Sequence, residues 1–258
     1  MIDLDKQSGL PIILDGEIIK PKEGFELPAP AFRKLEDFSK VLKEGSELTG
    51  PEIAYSMFRG VVKDNDKDLF AKNNLRYDIT VVLSGAIGDE FIKTVGHYHS
   101  IKGGTEVYYP EIYEVIYGCA NYLFQKVEGG KVLDVKIIEA KEGDKVIIPP
   151  GYGHVTINPD AETLVMANIT ESNFKSVYEG FEKLNGACFY ELGTGEWVNN
   201  ENYENVFEPI LIKAENAEDV FGVGNDIPLY TDFINDPEKY DFLANPEKYL
   251  EKFEGIYS

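Results

Sequence analysis

Between residues 52 and 170 the chain breaks into nine short β-rich runs, at 53–62, 77–83, 91–95, 112–117, 120–127, 132–139, 145–148, 154–157 and 163–169. Gly, Pro and Asp punctuate them, and no amphipathic helix intervenes. This rhythm constrains the fold more than any other feature. Parallel strands need a long crossover, usually a helix, between one and the next. Short strands at near-even spacing without such helices pair antiparallel and close into a sandwich or barrel. Glu128-Gly129-Gly130-Lys131 predicts a tight hairpin turn between two of the runs. The expectation is an all-β core over 51–200.

The flanks have a different texture. Within 1–50, an apolar run from Leu10 to Leu14 precedes Phe32, Leu35, Phe38 and Val41-Leu42, whose spacing of three and four predicts a helix. Residues 201–258 turn helical again. The stretch 214–220 follows a polar patch, and 237–253 holds two related starts, at Pro237 and Pro246, each with Pro at the first helical position. The chain is therefore read as an N-terminal strand-and-helix segment (1–50), a β core (51–200) and a helical C-terminal appendage (201–258).

Charge narrows the partners. Twenty-five Lys and Arg face 46 Asp and Glu, a formal net charge of −21. Such a chain is repelled by phosphate backbones and anionic lipid heads, so neither nucleic acid nor a membrane surface is expected as a partner. Two cysteines, Cys119 and Cys188, make no disulfide framework and no CxxC zinc pattern. No run approaches 18 apolar residues, and the first residues lack a basic and then apolar leader, which predicts a cytoplasmic address. Three apparent motifs dissolve. Asp64-Asn65-Asp66-Lys67-Asp68 lacks the sixth-position Gly of a calcium loop and has Leu75 where the bidentate Glu belongs, so it reads as a solvated turn. Gly193-Thr194-Gly195 reads as a turn and Trp197 as core.

The chain holds three histidines, all inside the β-rich region. Thr94-Val95-Gly96-His97-Tyr98-His99 puts two of them two residues apart, on one face if the segment is a strand. Two imidazoles side by side are half a metal site. His154 follows Pro149-Pro150-Gly151 and opens a new strand. A carboxylate would complete the set, and Glu106, Glu111 and Glu114 compete for that role.

These two segments resemble the paired motifs of the cupin superfamily. The second matches throughout: Gly143, five residues, Pro149, one, Gly151, two, His154, three, Asn158. The first matches in His97-x-His99 and in Glu111, six residues, Gly118. It departs at Phe91, where Gly is usual, and in the eleven residues between His99 and Glu111, where three or four are usual. Thr-x-Gly-His-Tyr-His, then an insert, then Tyr-Pro-Glu-Ile-Tyr-Glu-Val and a Gly, resembles the cupin-type glucose-6-phosphate isomerases of archaea and some bacteria. The likeness runs from about Pro51 to Tyr190 and implies a jelly-roll barrel, the double-stranded β-helix.

The resemblance implies one divalent metal per subunit on His97, His99, Glu111 and His154, iron first, with manganese, nickel, cobalt or zinc as substitutes. It implies phosphate donors on Thr80, Thr94 and the amide of Gly96. Tyr55 and Tyr113 match pocket tyrosines, Tyr178 matches across a gap, and Ser176 replaces a pocket histidine. The implied reaction interconverts glucose 6-phosphate and fructose 6-phosphate, with Glu111 and Tyr113 at the reacting carbons, in a homodimer. Proton transfer through an enediol and a metal-assisted hydride shift are both open. A mannose-6-phosphate isomerase, a cupin dioxygenase and a non-catalytic sugar-binding cupin are the alternatives. Among the carboxylates, Glu106 lies in the Gly103-Gly104 loop, whereas Glu111 opens a strand ending at the turn residue Gly118. Glu114 would face the other side of that strand.

Overall fold

The computed structural model describes residues 1–257. Two sheets form the core. The six-stranded sheet runs in the order Lys145–Ile148, Glu111–Tyr117, Leu164–Glu171, Leu75–Val82, Ile53–Arg59, Ala31–Lys34, antiparallel throughout. The four-stranded sheet runs Gly153–Ile157, Cys119–Glu128, Lys131–Lys141, Ile210–Lys213. Gly118, at φ +85°, turns the chain from the first sheet into the second. Pro149-Pro150-Gly151 does the same between Lys145–Ile148 and Gly153–Ile157, with Gly151 also at positive φ. The expected hairpin forms at Gly129-Gly130, both at positive φ, closing Glu128 against Lys131. The result is the cupin-type β-barrel, with the two sheets facing each other across an interior filled from both sides; Tyr113 and Tyr122 meet there at 5.4 Å.

The sheets reach beyond the span 51–200, because each recruits a strand from a flank. The predicted helix around Phe32–Leu42 is instead the edge strand Ala31–Lys34 followed by one 3₁₀ turn, Leu35–Phe38. Only Phe38, Val41 and Leu42 of that apolar set are buried, and Phe32 is exposed. A spacing of three and four is equally met by a short strand running into a tight turn. The run 91–95 is a strand only at its start, Glu90–Phe91, and then follows Gly153–Ile157 through single contacts such as Lys93 against Ile157. Trp197, expected in the core, is half-buried on Trp197–Asn199.

In the appendage, 214–220 forms only the 3₁₀ turn Ala214–Asn216, and Ile210–Lys213 before it pairs parallel with Lys131–Lys141. The two proline starts do nucleate helical turns, Pro237–Tyr240 and Pro246–Lys248, which run into Asp241–Ala244 and Leu250–Phe253. Their aromatic residues fill the space behind the barrel, with Phe221 stacked on Phe242 at 4.0 Å. Glu114 points into this layer, away from the barrel interior. Its carboxylate accepts the Leu229 N–H at 2.9 Å and lies 3.8 Å from Lys145 Nζ. No helix among the described residues is long and apolar enough to cross a membrane.

Candidate functional site

Four side chains able to ligate a metal converge inside the barrel. Glu111 opens its strand on the six-stranded sheet, and His154 faces it from Gly153–Ile157 on the four-stranded sheet. His97 lies beside His154 through reciprocal backbone hydrogen bonds of 3.2 and 3.0 Å. His99 follows on the two-residue strand Tyr98–His99. The backbone bends into this position at Gly96, where φ is +82° and a Cβ would stand 2.6 Å from Val155 and 2.9 Å from Phe181. Only glycine lets the chain pass so close.

The donor atoms of His97, His99, Glu111 and His154 lie within 4.8 Å of one another. Nε2 of His99 and of His154 stand 3.2 and 3.5 Å from Oε2 of Glu111. His97 Nε2, His99 Nε2 and Glu111 Oε2 are buried without a hydrogen-bond partner among the described residues. Buried polar atoms are rarely left so, since each forfeits its hydration. Burial, reinforced by the neighbouring imidazoles, holds His97 and His154 well below the usual histidine pKa, so both stay neutral with a lone pair to give. His99 must donate from Nδ1 to the Tyr109 carbonyl at 2.7 Å, because a carbonyl only accepts; Nε2 then carries the lone pair. Asn168 donates to Oε1 of Glu111. Three neutral imidazoles and one carboxylate suit a divalent cation, and this group could hold one.

Glu106, exposed in the 100–110 loop, and Glu114, on the outer face of the strand, take no part. Beside these four groups a cleft opens, with His97 and Glu111 on its wall. Tyr55, Thr80, Thr94, Gly96, Tyr113, Ser176 and Tyr178 all line it. The Tyr113 hydroxyl is 3.3 Å from His154 Nε2, and burial beside Glu111 holds its pKa well above the usual phenol, so it keeps its proton. The Thr94 hydroxyl accepts the Thr156 N–H at 3.0 Å, and Tyr55 Oη accepts that of Val95 at 3.3 Å. The Gly96 N–H donates to no acceptor among the described residues.

Four polar lining residues escaped the sequence reading: Arg59, Arg76, Asp78 and Asn168. Their positions come from register. Arg59 lies opposite Asp78, Asp78 opposite Asn168, and Asn168 opposite Tyr113, so one row crosses four strands on the inner face. Asp78 accepts from Arg76 Nε at 2.9 Å and from Gly60 N–H at 2.8 Å. One signal was available in the sequence: three arginines against 22 lysines, two of them, Arg59 and Arg76, within a β-rich run or beside one.

Similar proteins include glucose-6-phosphate isomerases from Thermococcus litoralis, 29% identical over 48% of this chain and 65% of that one, and from Pyrococcus abyssi, 26% identical over 64% and 88%. The Thermococcus onnurineus protein of the same name is 29% identical over 51% of this chain and 65% of its own length. The chain thus spans less than two-thirds of the length of either Thermococcus relative. Among solved structures, an oxalate decarboxylase overlaps at a TM-score of 0.33, 18% identical over 58% of this chain and 32% of that one, too low to bear on the site. Residues 32–208, a stretch that includes the strand Ala31–Lys34 from Phe32 onward and every ligating residue above, match the family described as glucose-6-phosphate isomerase (GPI), and the chain belongs to that family.

Proposed function

We propose that this protein interconverts glucose 6-phosphate and fructose 6-phosphate, using one divalent metal, iron first, held by His97, His99, Glu111 and His154. The observation that carries this reading is the set of unpartnered ligand atoms beside a cleft that Thr80, Thr94 and Gly96 also line. A bound cation would polarise the substrate oxygens at C1 and C2.

The residues of the chain supply the rest. Two carboxylates reach the cleft interior, and Asp78 is engaged by Arg76 and the Gly60 amide. That leaves Glu111 as the base. Its carboxylate takes the proton from C2 of the aldose and returns it to C1 of the enediol while the hydroxyl proton passes from O2 to O1, and the reverse reaction uses the same atoms. Asn168 holds Oε1 of that carboxylate in place. Tyr113, protonated, hydrogen-bonds a substrate oxygen beside it. Thr80, Thr94 and the Gly96 amide receive the phosphate, with Tyr55 and Tyr178 closing around it. The unpaired outer edge of strand Ala31–Lys34 offers a second copy a surface to pair with, and light scattering tests the homodimer.

A coupled assay comparing fructose 6-phosphate with mannose 6-phosphate tests the substrate. Turnover of the first to glucose 6-phosphate supports the reading. Turnover of mannose 6-phosphate alone would replace it with the sister isomerisation.

A further inference from the structure

A chain of net charge −21 that binds a sugar phosphate must find positive charge near the phosphate, and the cradle of Thr80, Thr94 and Gly96 has none. Two of the protein's three arginines, Arg59 and Arg76, line this cleft, and the third, Arg33, bonds to its wall residue Tyr178. They are not equivalent. Arg76 is held by the Asp78 carboxylate through Nε and by the Ser172 carbonyl at 3.3 Å, so its charge is matched within the protein. Arg33 donates to Tyr178 Oη at 3.0 Å and lies 5.4 Å over that ring, and its Nε is buried without a partner. Arg59 makes no ion pair among the described residues; its guanidinium meets only the Met57 sulfur, at 3.7 Å.

Register places the two uncompensated arginines around the cradle. Across the edge of the six-stranded sheet Arg33 lies opposite Tyr55, Met57 opposite Thr80, and Arg59 opposite Asp78. Tyr55, Met57 and Arg59 alternate on one face of their strand, so Thr80 sits between the position of Arg33 and that of Arg59. A guanidinium offers paired N–H donors in the spacing of two phosphate oxygens, which a lysine does not.

We infer that Arg59, seconded by Arg33, is the cation that recognises the substrate phosphate and makes the cleft selective for phosphorylated sugars. This rests on the sugar-phosphate reading above. It assigns the charge recognition to residues outside the Thr-x-Gly segment and leaves that segment the neutral hydrogen bonds.

The test compares Arg59→Gln and Arg59→Lys with the unaltered protein. It reads KM and kcat for fructose 6-phosphate, and the dissociation constant of inorganic phosphate by calorimetry. Arg59→Gln should raise KM and the phosphate dissociation constant together, roughly ten- to a hundredfold, as expected for loss of a charged hydrogen bond. Its kcat should change less, and Arg59→Lys should fall between the two. Because Arg59 is exposed, both variants should keep the melting temperature of the parent. Phosphate binding within twofold of the parent in Arg59→Gln would overturn the assignment. So would a fall in kcat at unchanged KM, which would mark a role in positioning other groups. If the parent binds phosphate through Arg59 yet turns over no fructose 6-phosphate, the arginine assignment stands and the isomerase reading falls.

Discussion

Asn168 donates a 2.6 Å hydrogen bond to Oε1 of Glu111, and the other carboxylate oxygen lies 3.2 and 3.5 Å from the Nε2 atoms of His99 and His154. Asn168 reaches this place because it is paired directly with Tyr113 across the sheet. A partner that orients a ligand typically contributes 10- to 100-fold in metal affinity or activity. Asn168→Leu should therefore lose metal to a competing chelator roughly tenfold or more faster than the parent. Asn168→Asp should be worse, since it sets a second carboxylate against Glu111. Unchanged metal retention in both would show that Glu111 is oriented by something else.

Glu111 and Glu106 separate the proposed ligand from its rival in sequence. Glu111→Gln should lower turnover by several orders of magnitude and reduce bound metal, because one group would serve as ligand and base. Glu106→Gln, on an exposed loop, should leave both nearly unchanged. Metal analysis and initial rates on the two purified variants give the comparison.

Gly96 allows the sharp approach of the His97 segment to Val155 and Phe181. Gly96→Ala adds a methyl group where no room exists and at a positive φ. It should destabilise the fold by about 1–3 kcal/mol or more, read as a lower denaturant midpoint at constant slope. It should also impair metal binding by displacing His97. Parental stability in this variant would mean that the segment relaxes at little cost.

Behind the site, burial pushes the Glu114 carboxyl up to about 8, against the attraction of Lys145. The folded protein then holds a proton there that the unfolded chain has already released above its ordinary pKa near 4.5. The contribution of Glu114 is therefore favourable in acid and is lost as pH rises from about 5 through about 8. The depressed pKa of Lys145 acts in a more alkaline window, approaching its ordinary value of 10.5. A Glu114→Gln variant should show a flatter fall of melting temperature between pH 5 and pH 8 than the parent. Parallel curves for the two proteins would mean that Glu114 titrates alike in both states.

The four-residue cluster was legible because its spacing is local: His97-x-His99, the turn at Gly118 and the Pro149-Pro150-Gly151 bend each fix their residues within a few positions. The cleft wall was not. Arg59, Asp78 and Asn168 come together only through pairings between segments tens of residues apart, and no local pattern specifies which residues of Ile53–Arg59 and Leu164–Glu171 share a row. The helix expected around Leu35 failed for a related reason. Strand Ala31–Lys34 is stabilised by its neighbour Ile53–Arg59, which the periodicity of its own residues cannot report. Ile210–Lys213 was hidden in the same way, as a short edge strand set by Lys131–Lys141.

The most direct test of the whole account is the rate of glucose 6-phosphate formation from fructose 6-phosphate, measured on the full chain before chelation, after exhaustive chelation, and after return of Fe²⁺ or Mn²⁺. The account predicts activity that disappears with the metal and returns with it, most completely at a pH where the three imidazoles are neutral. Full activity in protein shown to be free of metal would contradict it, as would a metal-loaded protein that leaves fructose 6-phosphate untouched.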